Sequence, residues 1–182
     1  MNIIPSAIPD LLLIEPQVFD DERGFFYESF NERRFAGLTG LSPRFVQDNH
    51  SKSLRNVVRG LHYQLGAAAQ GKLVRVTAGA IFDVAVDLRV GSPTFGHAHT
   101  IVLSADNRLQ LWIPPGFAHG FMVTSDVAEC VYKTTDYWSP QHERTLLWND
   151  PALGIDWPLA AVPVVSAKDR AGVPLAQAEA FE

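Results

Sequence analysis

The chain has 182 residues, about one domain at roughly 150 residues each, enough to bury roughly 70% of its unfolded surface without metal or disulfide staples. Apolar residues make up 47% and charged residues 19%, which excludes a disordered tail protein. Fifteen basic and twenty acidic residues give a net charge of −5, a poor balance for wrapping duplex nucleic acid; the single cysteine, Cys130, excludes an intrachain disulfide and fits a reducing compartment.

Met1 to Pro16 is apolar but has no basic start, and Pro5 and Pro9 interrupt it. It reads as neither a signal peptide nor a membrane span. The run Leu11 to Ile14 is far shorter than the ~20 apolar residues that cross a bilayer. The expectation is a soluble, cytoplasmic protein with no membrane partner. Phe25–Phe30 reads as a strand and Glu32–Leu38 as a short helix. Strands are then predicted at Phe45–Asn49, Val57–Tyr63, Leu73–Thr77 and Ile81–Leu88. Further strands follow at Thr100–Leu103, Gln110–Ile113, Gly120–Thr124 and Val127–Thr134. In the fourth of these, Phe82, Val84, Val86 and Leu88 share one face, and Asp83 and Asp87 the other. That alternation predicts a half-buried strand. The stretch after Pro151 looks helical. No fixed-period repeat is visible. Twelve prolines and thirteen glycines supply turns, and many short strands predict an all-β sandwich or barrel. Residues 1–182 read as one domain, less regular from about Ser139.

The richest chemistry lies in Arg59-Gly60-Leu61-His62-Tyr63-Gln64 and Gln70-Gly71-Lys72-Leu73-Val74-Arg75. Histidine takes and returns protons near neutrality, and lysine is a compact cation suited to a developing oxyanion. The competing reading is a solvated face with a few charges. Strand parity sets Arg59 and His62 on opposite faces. A β-bulge at Gly60 would turn both into one cavity. Ile113-Pro114-Pro115-Gly116-Phe117-Ala118-His119-Gly120-Phe121 puts a rigid turn before His119, half of the signature of the cupin barrels. Metal-binding cupins supply a His-x-His pair and a Glu on the first motif, whereas here the matching strand offers His62 alone. His97-Ala98-His99 falls outside that motif and reads as a surface pair, short of the three or four convergent ligands of a catalytic metal. Tyr132 shares a face with the small residues Ala128 and Cys130. It reads either as a core tyrosine or as a phenol with room for a ligand beside it. Cys130 reads as a small buried hydrophobe. Asp169 is placed to orient a histidine, but no Ser or Cys nucleophile motif accompanies it, and phosphate-binding Gly-rich loops are absent.

Asp21-Glu22-Arg23-Gly24-Phe25-Phe26, Phe45-Val46-Gln47-Asp48-Asn49-His50-Ser51, Trp148-Asn149-Asp150 and Ser166-Ala167-Lys168-Asp169 complete a set with the motifs above. Together the chain resembles the dTDP-4-dehydrorhamnose 3,5-epimerase family, from about residue 2 to about residue 178 and in the same order. The resemblance implies a cupin-type double-stranded β-helix (jelly-roll) barrel that works without metal or other cofactor. It implies a homodimer whose partners exchange N-terminal strands. The implied substrate is dTDP-4-dehydro-6-deoxy-D-glucose, inverted at C3 and C5 on the way to dTDP-L-rhamnose. By position, the resemblance makes His62 the base, Asp169 its partner, Tyr132 the acid on the other face and Lys72 the enolate stabiliser. It makes Arg23, Glu28, Gln47, Asn49, Arg59, His119, Glu143 and Lys168 binders of the nucleotide sugar. Trp138 would stack on thymine, where many relatives carry another aromatic ring. His97 and His99 inherit no role. Alternatives from the same pattern are a single-centre (C3 or C5) epimerase, a metal-dependent cupin oxygenase or isomerase, and a non-catalytic sugar binder.

The charge is unevenly spread. Residues 44–75 hold Arg44, Lys52, Arg55, Arg59, Lys72 and Arg75 against Asp48 alone. The acidic total argues against a long nucleic acid, but not against one nucleoside diphosphate in a basic pocket.

Overall fold

The computed structural model describes residues 1–182. In chain order the strands are β1 (Asn2–Ile4), β2 (Leu12–Glu15), β3 (Phe19–Asp21), β4 (Gly24–Phe26), β5 (Gln47–Leu54), β6 (Val57–Gln64) and β7 (Lys72–Ala78). They continue as β8 (Ala80–Asp87), β9 (Ala98–Ser104), β10 (Gln110–Ile113), β11 (Phe117–Val123), β12 (Val127–Thr134), β13 (Glu143–Thr145) and β14 (Val164–Val165). Two short helices, α1 (Glu32–Thr39) and α2 (Ala167–Arg170), complete the regular structure. One sheet has the order β1-β2-β10-β7-β12-β5, and the other β13-β6-β11-β8-β9 with β14 beside β6. The two sheets face each other as the expected all-β jelly-roll barrel.

The core between the sheets takes alternate residues from both. Val74, Val76, Leu111, Ile113, Ala128 and Cys130 meet Ile81, Ala85, Leu103, Phe117, Phe121 and Val123. The outer faces are also covered. On the first sheet, Ile14, Leu73 and Trp112 pack against Phe35 of α1. On the second, Val58, Leu61, Val84, Val86, Ala118 and Met122 lie under Leu146, Trp148, Leu153, Trp157 and Val165 of the C-terminal segment. That segment is irregular because it is a cover whose large side chains fill the outer pleats of the sheet.

This covering corrects the reading of β8. The strand is not half-buried: Asp83 and Asp87 are both 0% exposed. Its continuous apolar face points outward, under the C-terminal cover, and its carboxylate face points into the barrel. Other boundaries also moved. The strand expected at Phe25–Phe30 ends at Phe26, because Ser29 O accepts from Gln110 Nε2 at 2.8 Å and Asn31 caps α1 through the Arg34 N–H. Helix after Pro151 is limited to short 3-10 turns and the four residues of α2. The proline-interrupted N-terminus contributes β1 and β2, which the sequence reading passed over. No helix is long and apolar enough to cross a membrane.

Candidate active site

Strand β6 carries the first site residues, and its irregularity decides where they point. His62 pairs with His119 of β11, whereas Arg59 pairs with Phe121. Gly60 and Leu61 therefore oppose Gly120 alone, which is the predicted bulge. Leu61 turns outward to 0% exposure in the outer cluster, and Arg59 and His62 both line the interior. Glycine is required at this point. Gly60 has φ +112°, and a Cβ there would lie 2.6 Å from Gly120 Cα.

His62 Nε2 lies 2.6 Å from Asp169 Oδ1. Asp169 is 4% exposed, held in α2 where its own N–H donates to Ser166 Oγ. Burial pushes the Asp169 carboxyl up. The His62 hydrogen bond and charge, with the Ser166 and Gly60 contacts, outweigh burial and hold it below its usual range. Lys72, at the start of β7, is 8% exposed and donates to His62 O at 3.2 Å. Burial lowers its ammonium to about 8, and attraction to Asp83 and Glu143 limits the fall. Tyr132 enters from β12 beside Cys130, and burial pushes its phenol up. Cys130 itself is 1% exposed, the small buried hydrophobe anticipated, and burial pushes its thiol up as well.

These residues form one cleft with two lobes that meet at His62, Lys72 and Tyr132. The first lobe adds Gln47, Asn49, Gln64, Gln70, Trp138 and Glu143. The second adds Ser51, Arg59, His119, Gly120 and Phe121. Gln47 donates to Asn49 Oδ1 at 3.0 Å and accepts the Trp138 N–H at 3.1 Å. Trp138 stands 59% exposed at the mouth. Glu143 pairs with Lys168 at 2.6 Å, so Lys168 reaches the cleft edge through that carboxylate. Burial works against the Glu143 charge, but Lys168 holds the carboxyl below its usual range. Arg59 Nε donates to Ser53 Oγ at 2.9 Å. His119 Nε2 lies 2.9 Å from Asp83 Oδ2.

Two predicted residues are not brought in. Arg23 sits in the β3–β4 turn, bonded to neighbouring Asp21. Glu28 pairs with Arg34 at 2.8 Å and accepts from Asn31 Nδ2. Neither lines the cleft of its own chain. The surface-pair reading of His97 and His99 holds for His97 only. His99 shares the inward parity of Ile101 and Leu103, and its Nε2 is buried without a partner. Sequence reasoning assigned no role to Asp83, Gln64, Gln70 or Ser51. Asp83 was visible as a carboxylate in the middle of a strand, but alternation does not show that its face is the inner one. No three His, Cys, Asp or Glu side chains converge as metal ligands do.

The arrangement has a histidine backed by a buried carboxylate, a phenol and a buried ammonium lining one cleft, with an arginine and a second histidine on its walls. The set suits proton removal next to a carbonyl, with a cation for the oxyanion. The family model described as dTDP-4-dehydrorhamnose 3,5-epimerase matches residues 5–177. The chain belongs to that family. It is 61% identical to the Pseudomonas aeruginosa dTDP-4-dehydrorhamnose 3,5-epimerase, over 100% of this chain and 99% of that one. It is 58% identical to the Salmonella typhimurium enzyme of the same name, over 98% and 97% of the two chains. Its fold superposes with a TM-score of 0.95 on the Legionella pneumophila dTDP-6-deoxy-D-glucose-3,5-epimerase in complex with dTDP-4-keto-L-rhamnose, at 52% identity, covering 98% of this chain and 94% of that one.

Proposed function

We propose that this chain is a dTDP-4-dehydrorhamnose 3,5-epimerase: it inverts C3 and C5 of dTDP-4-dehydro-6-deoxy-D-glucose to give dTDP-4-dehydro-L-rhamnose. The observation that carries the reading is the His62–Asp169 pair at 2.6 Å sharing one cleft with Tyr132 and Lys72, in a chain so similar to its relatives over nearly its whole length. C3 and C5 both flank the C4 ketone, so a proton lost from either leaves an enolate on the same oxygen. Asp169 engages His62 Nε2, which leaves Nδ1 to take the carbon-bound proton. The enolate negative charge falls on the C4 oxygen, where the Lys72 ammonium offsets it. Tyr132 then gives its phenolic proton to the opposite face of the carbon, and inversion is complete. The phenol carries its proton at neutral pH, as an ordinary tyrosine does, and burial raises it further. Solvent returns the proton to Tyr132 and takes one from His62, so the cycle balances without a metal or redox cofactor. Arg59 and His119, with Gln47, Asn49, Trp138, Glu143 and Lys168, hold the nucleotide sugar.

Assembly belongs to the same proposal. The β3–β4 hairpin pairs only with itself and exposes Phe19, Phe25 and Phe26 by 54%, 58% and 68%. A homodimer that exchanges N-terminal strands would cover these rings and bring Arg23, with Glu28 near it, to the partner's nucleotide. The enzyme acts as a single domain in the cytoplasm. Incubating purified protein with the keto-sugar and reading the product by NMR tests the function. Inversion at both carbons, undiminished by a chelator, is expected. Inversion at one carbon only, or loss of activity on chelation, overturns it.

A further inference from the structure

The four residues Asp136–Ser139 follow β12 and carry Trp138 to the cleft mouth. They form no helix or strand, so their backbone polar groups must be satisfied in another way. Side chains from below do this. Gln70 Nε2 and Thr134 Oγ1 donate to Asp136 O at 2.8 and 2.9 Å. Gln64 Nε2 donates to Tyr137 O at 3.1 Å, and Gln64 Oε1 accepts the Ser139 N–H at 2.7 Å. Its remaining Nε2 hydrogen donates to Ala68 O at 2.7 Å. Gln64 is 4% exposed, so both ends of its amide are committed inside the protein. The segment thus grips a buried amide on both sides of Trp138, while Tyr137 and Trp138 themselves stay 63% and 59% exposed.

An aromatic side chain left exposed on an irregular segment is normally mobile, and ordering it on binding costs affinity. Here the backbone of the segment is tied down by the protein's own side chains. We propose that Gln64 is a positioning residue that fixes the Asp136–Ser139 strap, so that Trp138 stands as a preformed stacking platform for the nucleoside end of the substrate. This rests on the reading of the cleft as a dTDP-sugar site. Gln64 acts through Trp138 and has no part in proton transfer.

The test is the variant Gln64→Met, which keeps the side-chain length and removes all three hydrogen bonds. Trp138 is the one exposed tryptophan; Trp112, Trp148 and Trp157 are 4%, 8% and 8% exposed. Its contribution to fluorescence anisotropy, taken as the difference from Trp138→Phe, falls in ligand-free Gln64→Met, a readout that needs no substrate. Binding of dTDP weakens about tenfold, KM for the dTDP-sugar rises by a similar factor, and kcat stays within about twofold. In the double variant with Trp138→Ala, Gln64→Met adds no further loss of dTDP affinity, because both act through one contact. Gln70→Met cuts a different tie of the same strap and gives the same signature where Gln64→Met does not fold. Unchanged anisotropy, unchanged dTDP affinity, or losses that multiply in the double variant would overturn the proposal. Wild-type protein that fails to bind dTDP would instead overturn the functional reading beneath it, with the anisotropy result left standing on its own.

Discussion

Replacing Lys72 with methionine should make the protein more stable and catalytically poor at once. Lys72 is 8% exposed, and burial drops its ammonium from the ordinary 10.5 to about 8. Below pH 8 the lysine is protonated in both folded and unfolded chains, so the full cost of burying the charge is present. That gap amounts to about 3 kcal/mol, at about 1.4 kcal/mol per pH unit. Between pH 8 and 10.5 the unfolded chain binds more protons, so wild-type stability from this group rises with pH. Methionine removes the cost and also the hydrogen bond to His62 O, worth about 1 kcal/mol. The variant should therefore be about 2 kcal/mol more stable at pH 7, or about 4–8 °C in Tm for a chain of this size. Its advantage should shrink steadily between pH 8 and 10.5. Losing the cation opposite the enolate oxygen should cut kcat about 10²- to 10³-fold, and wild-type kcat should itself fall above about pH 8. Denaturant melts at pH 7 and 9.5, with kcat measured at both, check each part. A variant less stable than wild type at pH 7, or a wild-type stability flat from pH 8 to 10.5, would refute the reasoning.

Three further outcomes follow from the geometry. Gly60→Ala puts a methyl against Gly120 at a φ alanine rarely adopts; it should cost about 2 kcal/mol or more and lower kcat by turning His62 or Arg59 out of the cleft, read by melts and assay together. Trp157→Ala empties the outer cluster and removes the hydrogen bond to Trp148 O; denaturation should show a loss of about 3–5 kcal/mol, with faster hydrogen exchange across Val164–Arg170. Mixing inactive Arg23→Ala protomers with inactive His62→Ala protomers should restore measurable activity if strands exchange, since one of the two sites in a mixed dimer then has both residues. Sedimentation should give a dimer, and a monomer with full activity would contradict the exchange.

The strand pattern was legible because alternation survives wherever a sheet has a distinct core side. The bulge was legible for a related reason: Arg59 and His62 have opposite parity, and Gly60 between them is the residue that tolerates the correction. What alternation does not encode is which face meets the barrel. In β8 the apolar face is buried by the distant residues Trp148 and Trp157, so Asp83 looked solvent-facing and its contact with His119 went unseen. The same limit applies to Gln64, whose three partners lie four to 75 residues away in the chain. Arg23 and Glu28 lie outside the cleft of their own chain, each tied to near neighbours: Arg23 to Asp21, and Glu28 to Arg34 and Asn31.

The proposed mechanism sets His62 and Tyr132 on opposite faces of the sugar. Incubation of the keto-sugar in deuterated water, with NMR of C3 and C5, tests it most directly. Wild-type protein should place deuterium at both carbons with inversion. His62→Ala should place none, and Tyr132→Phe should exchange without net inversion. Deuterium entering at both carbons with His62→Ala, or full inversion with Tyr132→Phe, would contradict the account.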